Sequence, residues 1–392
     1  MLKKYIMTPG PTPISEDVLI EHGKPLMHHR SPEFGKIFSE TTEKLKKLLK
    51  TKNDVFILTS SGTGAMETAI TNSFKKGDKV LVASIGNFGE RFKKISSVYG
   101  LEVISLDYGW GEVADPEDIK KILDKEKDIK GVMVQFSETS TGALNDVEAM
   151  GKIVKDHPAL FIVDAISGLA ASDFDTDGWG IDIVIGGSQK GISAPTGIAF
   201  VSISEKAWRA IEISDIPKFY FDLKAAKVAL QKNQTPWTPG ISIIVAMNKA
   251  LDLLFEEGLE NVFKRHGVLA KATQEAATAL GLEFFVTEPD QRGFSVTAIK
   301  VPGGIDGKEL VKIMRIKYGV TIAGGQGKIT GKIIRIGHLG YVGMFDVITA
   351  VSALEMTLAD LGYDFEIGAG ITAAQKVFSE NNYLDKEKTD GE

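Results

Sequence analysis

From Val55 to Ile203, short apolar runs alternate with stretches whose apolar residues recur every three or four positions. The runs Val55–Thr59, Val80–Ser84, Glu102–Leu106, Gly131–Phe136, Leu160–Asp164, Ile181–Ile185 and Ile198–Ile203 read as strands, and the periodic stretches between them as amphipathic helices. Two helix starts are marked by an aspartate able to accept the first free N–H groups, at Asp115-Pro116 and at Asp146. Several runs are apolar throughout, which predicts an α/β fold with a mostly parallel, seven-stranded sheet covered on both faces. Ligands of such sheets bind beyond the carboxyl ends of the strands.

Outside this region the pattern changes. Ile6-Met-Thr-Pro-Gly-Pro-Thr-Pro13 is too rich in proline for helix or central strand and predicts an extended arm. Past Ile203, Asn233-Gln-Thr-Pro-Trp-Thr-Pro-Gly240 leads into a long helix from about Ile241 to Glu257 that continues to about Leu280. After it come a strand at Phe294–Val301, a helix near Lys308–Tyr318, a glycine loop at Gly324–Gly327, a strand at Ile333–Ile336 and a last helix from about Phe345 to Leu361. These pieces predict a smaller α+β domain. The expected division is an arm at 1–20 lining the active site, a large domain at 21–257, a small domain at 258–365 and a tail at 366–392. Within the tail, Ile371–Phe378 is amphipathic and the charged stretch Asp385–Glu392 is expected to be disordered.

Candidate chemistry gathers at the strand ends. Ile181-Asp-Ile-Val-Ile-Gly-Gly-Ser-Gln-Lys190 carries a lysine to the rim of the sheet, where low polarity favours the neutral amine that forms a Schiff base. A lone lysine after a strand is ordinarily a solvated loop residue, but Leu160-Phe-Ile-Val-Asp164 ends the preceding strand in a carboxylate. This lysine and aspartate are what pyridoxal phosphate chemistry needs, one to hold the cofactor and one to keep its pyridine nitrogen protonated. Thr59-Ser-Ser-Gly-Thr-Gly-Ala-Met-Glu67 turns from a strand into a helix, whose free N–H groups and positive dipole end suit a phosphate. Phe88, with glycines close on both sides, is placed either to lie on a cofactor ring or to pack in the core; Ser137–Gly142 supplies hydroxyls at another strand end. Arg335 lies inside an apolar strand and requires either a salt bridge or a substrate carboxylate.

Composition narrows the field. A net charge of −6 leaves no basic stripe for nucleic acid. No apolar run approaches the ~18 residues of a membrane span, and no signal peptide is evident, which predicts a cytoplasmic protein. The absence of cysteine removes thiolate metal sites and cysteine nucleophiles, and the six histidines show no metal-ligand spacing. No metal is expected.

In combination, Thr-Pro-Gly-Pro, Ser-Gly-Thr-Gly-Ala-Met-Glu, Phe-Gly-Glu-Arg, Glu-Thr-Ser-Thr-Gly, Val-Asp-Ala-Ile-Ser, Gly-Ser-Gln-Lys and Arg-Ile-Gly resemble the class V aminotransferases among the fold-type I pyridoxal phosphate enzymes, in particular the alanine–glyoxylate and serine–pyruvate group. The resemblance spans about Thr8 to Leu361. It implies that Lys190 is the cofactor lysine and proton shuttle and Asp164 the pyridinium partner. It further implies that Ser61, Gly62, Thr63 and Gln189 hold the phosphate, that Phe88 stacks on the ring, and that Thr139 approaches the cofactor oxygen. Arg335 matches the arginine that binds the substrate α-carboxylate, and Gly10 belongs to the loop lining that pocket. A homodimer with active sites at the subunit interface is implied, in which Thr238 reaches the partner's phosphate and Thr235 stands where relatives have tyrosine. The implied reaction is amino transfer from alanine or serine to glyoxylate or pyruvate, with aspartate or 2-aminoethylphosphonate as alternative donors. A cysteine desulfurase is disfavoured by the missing thiol, and a non-catalytic binding protein by the retention of Lys190 and Asp164.

Overall fold

A computed structural model describes residues 2–381. Seven strands form the main sheet: β1 Asp54–Leu58, β2 Lys79–Ser84, β3 Glu102–Asp107, β4 Gly131–Gln135, β5 Leu160–Asp164, β6 Ile183–Gly187 and β7 Ala199–Ile203. Their spatial order is β1-β7-β6-β5-β4-β2-β3, and only β7 runs antiparallel to its neighbours. The reason lies in the connection before it. A parallel return needs a crossover element, but 188–198 contains no helix, so the chain doubles back and leaves a loop that carries Lys190.

The apolar strands are explained by burial on both faces. On one face Leu81, Ala83, Val132, Val134, Phe161, Val163, Val184 and Phe200 pack with Phe38 and Leu45 of the helix Pro32–Leu49 and Met247 and Leu251 of the helix Ile241–Glu257. On the other, Val80, Val82, Met133, Ile162, Ile183, Ile185 and Val201 meet Met66, Ala69 and Ile70 of the helix Gly62–Ser73. Successive strand residues thus serve opposite layers.

Strand β6 starts and ends two residues later than the sequence pattern predicts, so Gly186 and Gly187 belong to the strand. Gly186 is required there: a Cβ would lie 2.2 Å from the Phe200 ring on β7. The long helix predicted through about Leu280 is two helices, Ile241–Glu257 and Leu259–Ala279, divided at Gly258.

A second core is built on the antiparallel strands β8 Val296–Lys300, β9 Ala323–Gly324 and β10 Ile333–Gly337, in the order β8-β10-β9. Helices Gly307–Ile316 and Met344–Asp360 supply Leu310, Met314, Val347, Val351 and Leu358 to it. The helix Met344–Asp360 is not the last, because the amphipathic piece of the tail lies within a further helix, Ala369–Glu380. Its Ala374, Val377 and Phe378 are buried in the same core, and the Glu355 carboxylate accepts from Gly368 N and Ile371 N at 2.9 and 3.1 Å, capping its start. The disorder expected for 385–392 lies outside the described residues.

The amino-terminal arm joins the two cores. Tyr5–Ile6 pairs in parallel with Val320–Thr321, Met7 is buried among the second core, and Gly337 N donates to Met7 O at 2.7 Å. A few residues on, Thr12 N donates to Gln189 O and Thr12 Oγ1 to Lys190 O. The arm therefore crosses from the small sheet to the lysine loop.

Candidate active site

The carboxyl ends of β1, β2, β5 and β6, the turn after β4 and the arm enclose a cavity of about 320 Å³. Gly10, Ser61, Gly62, Thr63, Phe88, Thr139, Asp164, Gln189 and Lys190 all line it, so nine of the residues singled out in the sequence meet in one place.

Asp164 ends β5 with its carboxyl buried, and Oδ1 accepts from Ile166 N at 3.0 Å. Loss of water pushes its pKa up to about 7 against the Ile166 hydrogen bond, and the nearby Glu138 carboxylate adds to the rise. Lys190 is also buried, with Nζ donating to Pro9 O on the arm. Burial first, and then the Arg335 charge, bring its pKa down to about 8. An amine so placed gives up its proton near pH 8, far more readily than a solvated lysine, and its neutral fraction can act as a nucleophile or base. Gly10 makes this contact possible: its φ is +110°, and a Cβ there would stand 2.4 Å from Lys190 Cδ.

At one end of the cavity the helix Gly62–Ser73 begins without a cap from its own Ser61 side chain. Thr63 lies in its first turn and receives a 3.0 Å hydrogen bond from Arg91 Nη1. Gln189 presents a shielded Oε1 with no hydrogen-bond partner among the described residues. On another wall, Thr139 Oγ1 contacts Ser167 Oγ. Arg335, on β10, is buried behind Thr139 rather than exposed in the cavity: Nη1 donates to Thr139 O at 2.8 Å, while Nε and Nη2 donate to Gly324 O at 3.0 and 2.7 Å. Three of its five donors are used, and two remain. Thr238 is outside the cavity, in a depression with Thr59, Tyr220, Phe221 and Trp237. The Thr235 hydroxyl is spent on Trp237 O at 2.6 Å.

The aminotransferase class-V family description matches residues 20–341. The chain belongs to the class V aminotransferases. It is 37% identical to an L-aspartate–glyoxylate aminotransferase of Paracoccus denitrificans, over 98% of each chain. It is 35% identical to a serine–glyoxylate aminotransferase of Methylorubrum extorquens, over 97% of each chain. Among solved structures, the ureidoglycine–glyoxylate aminotransferase of Bacillus subtilis superposes with a TM-score of 0.92 at 32% identity, covering 97% of this chain and 99% of that one.

As a class V aminotransferase, the protein is an enzyme that uses pyridoxal 5'-phosphate, which sets aside the non-catalytic alternative. Its cavity fits that cofactor. The uncapped helix start, a lowered lysine and a raised aspartate surround one space. Among the described residues, no cluster of histidine and carboxylates could hold a metal, and no helix is long and apolar enough to cross a membrane.

Two features of this aminotransferase site carry no role in the sequence reading. Arg91 lines the cavity with its guanidinium 4.6 Å from the Phe88 ring centroid. Glu138, wholly buried, accepts from Phe88 N at 3.0 Å, Gly89 N at 3.2 Å, Ser140 N at 3.1 Å and Ser140 Oγ at 2.6 Å. Arg91 was signalled by its helical spacing from Phe88, three residues on and therefore on the same face. Glu138 had no comparable local signal, because its partners are distant in sequence.

Proposed function

We propose that this enzyme is a cytoplasmic homodimer that transfers the amino group of a small amino acid, serine or alanine, to glyoxylate or pyruvate. The observation that carries the reading is a single cavity in which a lysine of lowered and an aspartate of raised proton affinity stand with a phosphate-type helix end, while Arg335, with two donors to spare, lies behind its Thr139 wall. Glyoxylate is named in both relatives and in the superposed structure, which supports it as acceptor. The serine relative supports the donor.

When bound, pyridoxal phosphate supplies an electron sink for the charge left at the substrate α-carbon. The chain's residues do the rest. Ser61, Gly62, Thr63 and Gln189 would hold the phosphate group, with Thr238 of the partner subunit reaching it, and Phe88 would stack on the ring. Asp164 keeps a proton on the pyridine nitrogen, where the opposite charge compensates the carboxylate that burial alone disfavours. Thr139 lies near the phenolic oxygen. Arg335 would offer its two remaining N–H groups to the substrate α-carboxylate from behind Thr139, and Gly10 leaves room for the Lys190 side chain. Lys190 Nζ takes the proton from the substrate α-carbon, while the arm limits access of water.

The test is a half-reaction titration. Purified holoenzyme is mixed separately with serine, alanine, aspartate and 2-aminoethylphosphonate, and the visible absorbance of the bound cofactor is followed. Bleaching by serine or alanine, reversed by glyoxylate, is the expected result. Bleaching by aspartate alone would replace the proposed donor, and absence of any response would overturn the reading.

A further inference from the structure

Arg91 is the arginine that lines this cavity directly. It belongs to the helix Asn87–Val98, whose start is fixed from outside: Asn87 N donates to Ser140 Oγ at 2.9 Å, and Phe88 N and Gly89 N donate to the Glu138 carboxylate. From this anchored turn Arg91 extends across the Phe88 ring and gives one N–H to Thr63 Oγ1. Among the described residues it forms no ion pair with a carboxylate, and that single hydrogen bond leaves four of its five donors available. Arg335, behind the cavity wall, differs, since it spends three donors on backbone carbonyls.

Its tether decides what it serves. Thr63 lies in the first turn of the helix Gly62–Ser73, whose dipole already favours an anion at that end and whose Ser61 does not cap it. A half-buried guanidinium beside this end adds a full positive charge in a planar fork suited to phosphate oxygens. Arg335 is bonded to Thr139 O from behind another wall, so the two cations are committed to different sides of the site.

We propose that Arg91 is a ligand of the cofactor's phosphate group, held in place by Thr63 and by the face of Phe88. The proposal rests on the cavity being the pyridoxal phosphate site. Loss of the guanidinium removes charge-assisted hydrogen bonds to the phosphate and leaves contacts to the ring in place.

Equilibrium binding to the apo-protein, measured by cofactor absorbance and by calorimetry, tests it with two ligands that differ only in the phosphate, pyridoxal 5'-phosphate and pyridoxal. For Arg91→Gln the affinity for pyridoxal 5'-phosphate is expected to fall roughly 10- to 100-fold, with pyridoxal affinity unchanged within about threefold. Arg91→Lys, which keeps the charge without the fork, is expected to recover part of the loss. An equal loss for both ligands would mean that Arg91 acts by holding Phe88, and no loss for either would remove it from the site; both outcomes overturn the proposal. Failure of the unaltered protein to take up pyridoxal 5'-phosphate would instead defeat the assignment of the cavity.

Discussion

At the scale of single residues, the site stores an electrostatic cost in the apo-protein. Asp164 is raised to about 7 by burial, so at pH 8 it is ionised in the folded chain at a penalty absent from the unfolded chain. The sign is fixed by proton binding: between its ordinary value near 3.8 and about 7 the folded state holds the proton more tightly, and stability falls as pH rises through that window. Asp164→Asn keeps an acceptor for Ile166 N and removes the charge. The apo-variant is expected to be more stable at pH 8 by about 1–2 kcal/mol, a discounted share of the roughly 4 kcal/mol that about three pH units of displacement represent at ~1.4 kcal/mol each. The gain should vanish near pH 4. Thermal melts of both proteins across this range are the check, and a variant less stable at pH 8 would contradict the buried-charge account. Transamination is expected to be lost in the same variant, a separation of stability from activity typical of functional sites.

Elements carry the positioning. The helix Asn87–Val98 has no cap from its own Gly86, and its first N–H groups are satisfied by Glu138 and Ser140 from the turn after β4. Burial raises the Glu138 pKa, against four hydrogen bonds that favour its charged form. Glu138→Ala strands those donors, at roughly 1–3 kcal/mol for each one left buried. We expect destabilisation of about 3 kcal/mol or more, together with faster amide exchange at Phe88 and Gly89. Exchange unchanged at these two amides would show that the helix start is held by other means.

The sequence is legible where chemistry and element coincide. Lys190 and Asp164 end recognisable strands, and the Ser61–Thr63 turn opens a recognisable helix, so their meeting follows from the rule that sites form at strand ends. Glu138 and the carbonyl partners of Arg335 are not legible in this way. Their bonds span about 50 residues to Phe88 and 196 to Thr139, and only the packed fold brings them together. The same holds for the helix Ala369–Glu380: its period was visible, but its attachment depends on the distant Glu355.

For the whole molecule, the surface around Thr238 bears on assembly. Phe219 is 75% exposed and stacks on Trp237, ring centroids 4.8 Å apart, beside the depression containing Thr238. Arg30 holds the preceding segment through Thr235 O at 2.7 Å and Pro236 O at 3.2 Å. Such an ordered aromatic patch fits burial by a second copy. For the proposed homodimer, Phe219→Asp is therefore expected to shift the protein toward monomer in sedimentation and to weaken cofactor binding with it. A variant that remains dimeric with full affinity would place the subunit contact elsewhere.

The arm has a consequence for how the enzyme comes into being. Residues 5–12 leave the ribosome long before residues 320–337, yet Tyr5–Ile6 has its strand partner at Val320–Thr321 and Met7 O its donor at Gly337. At translation rates of about 5–20 residues per second, the arm waits on the order of tens of seconds for these partners to be synthesised. The main sheet can be complete long before that. The pocket beside Lys190 gains its last wall only after residues 320–337 have been made, so the nascent main sheet has the lysine and aspartate but not yet the enclosure in which they work.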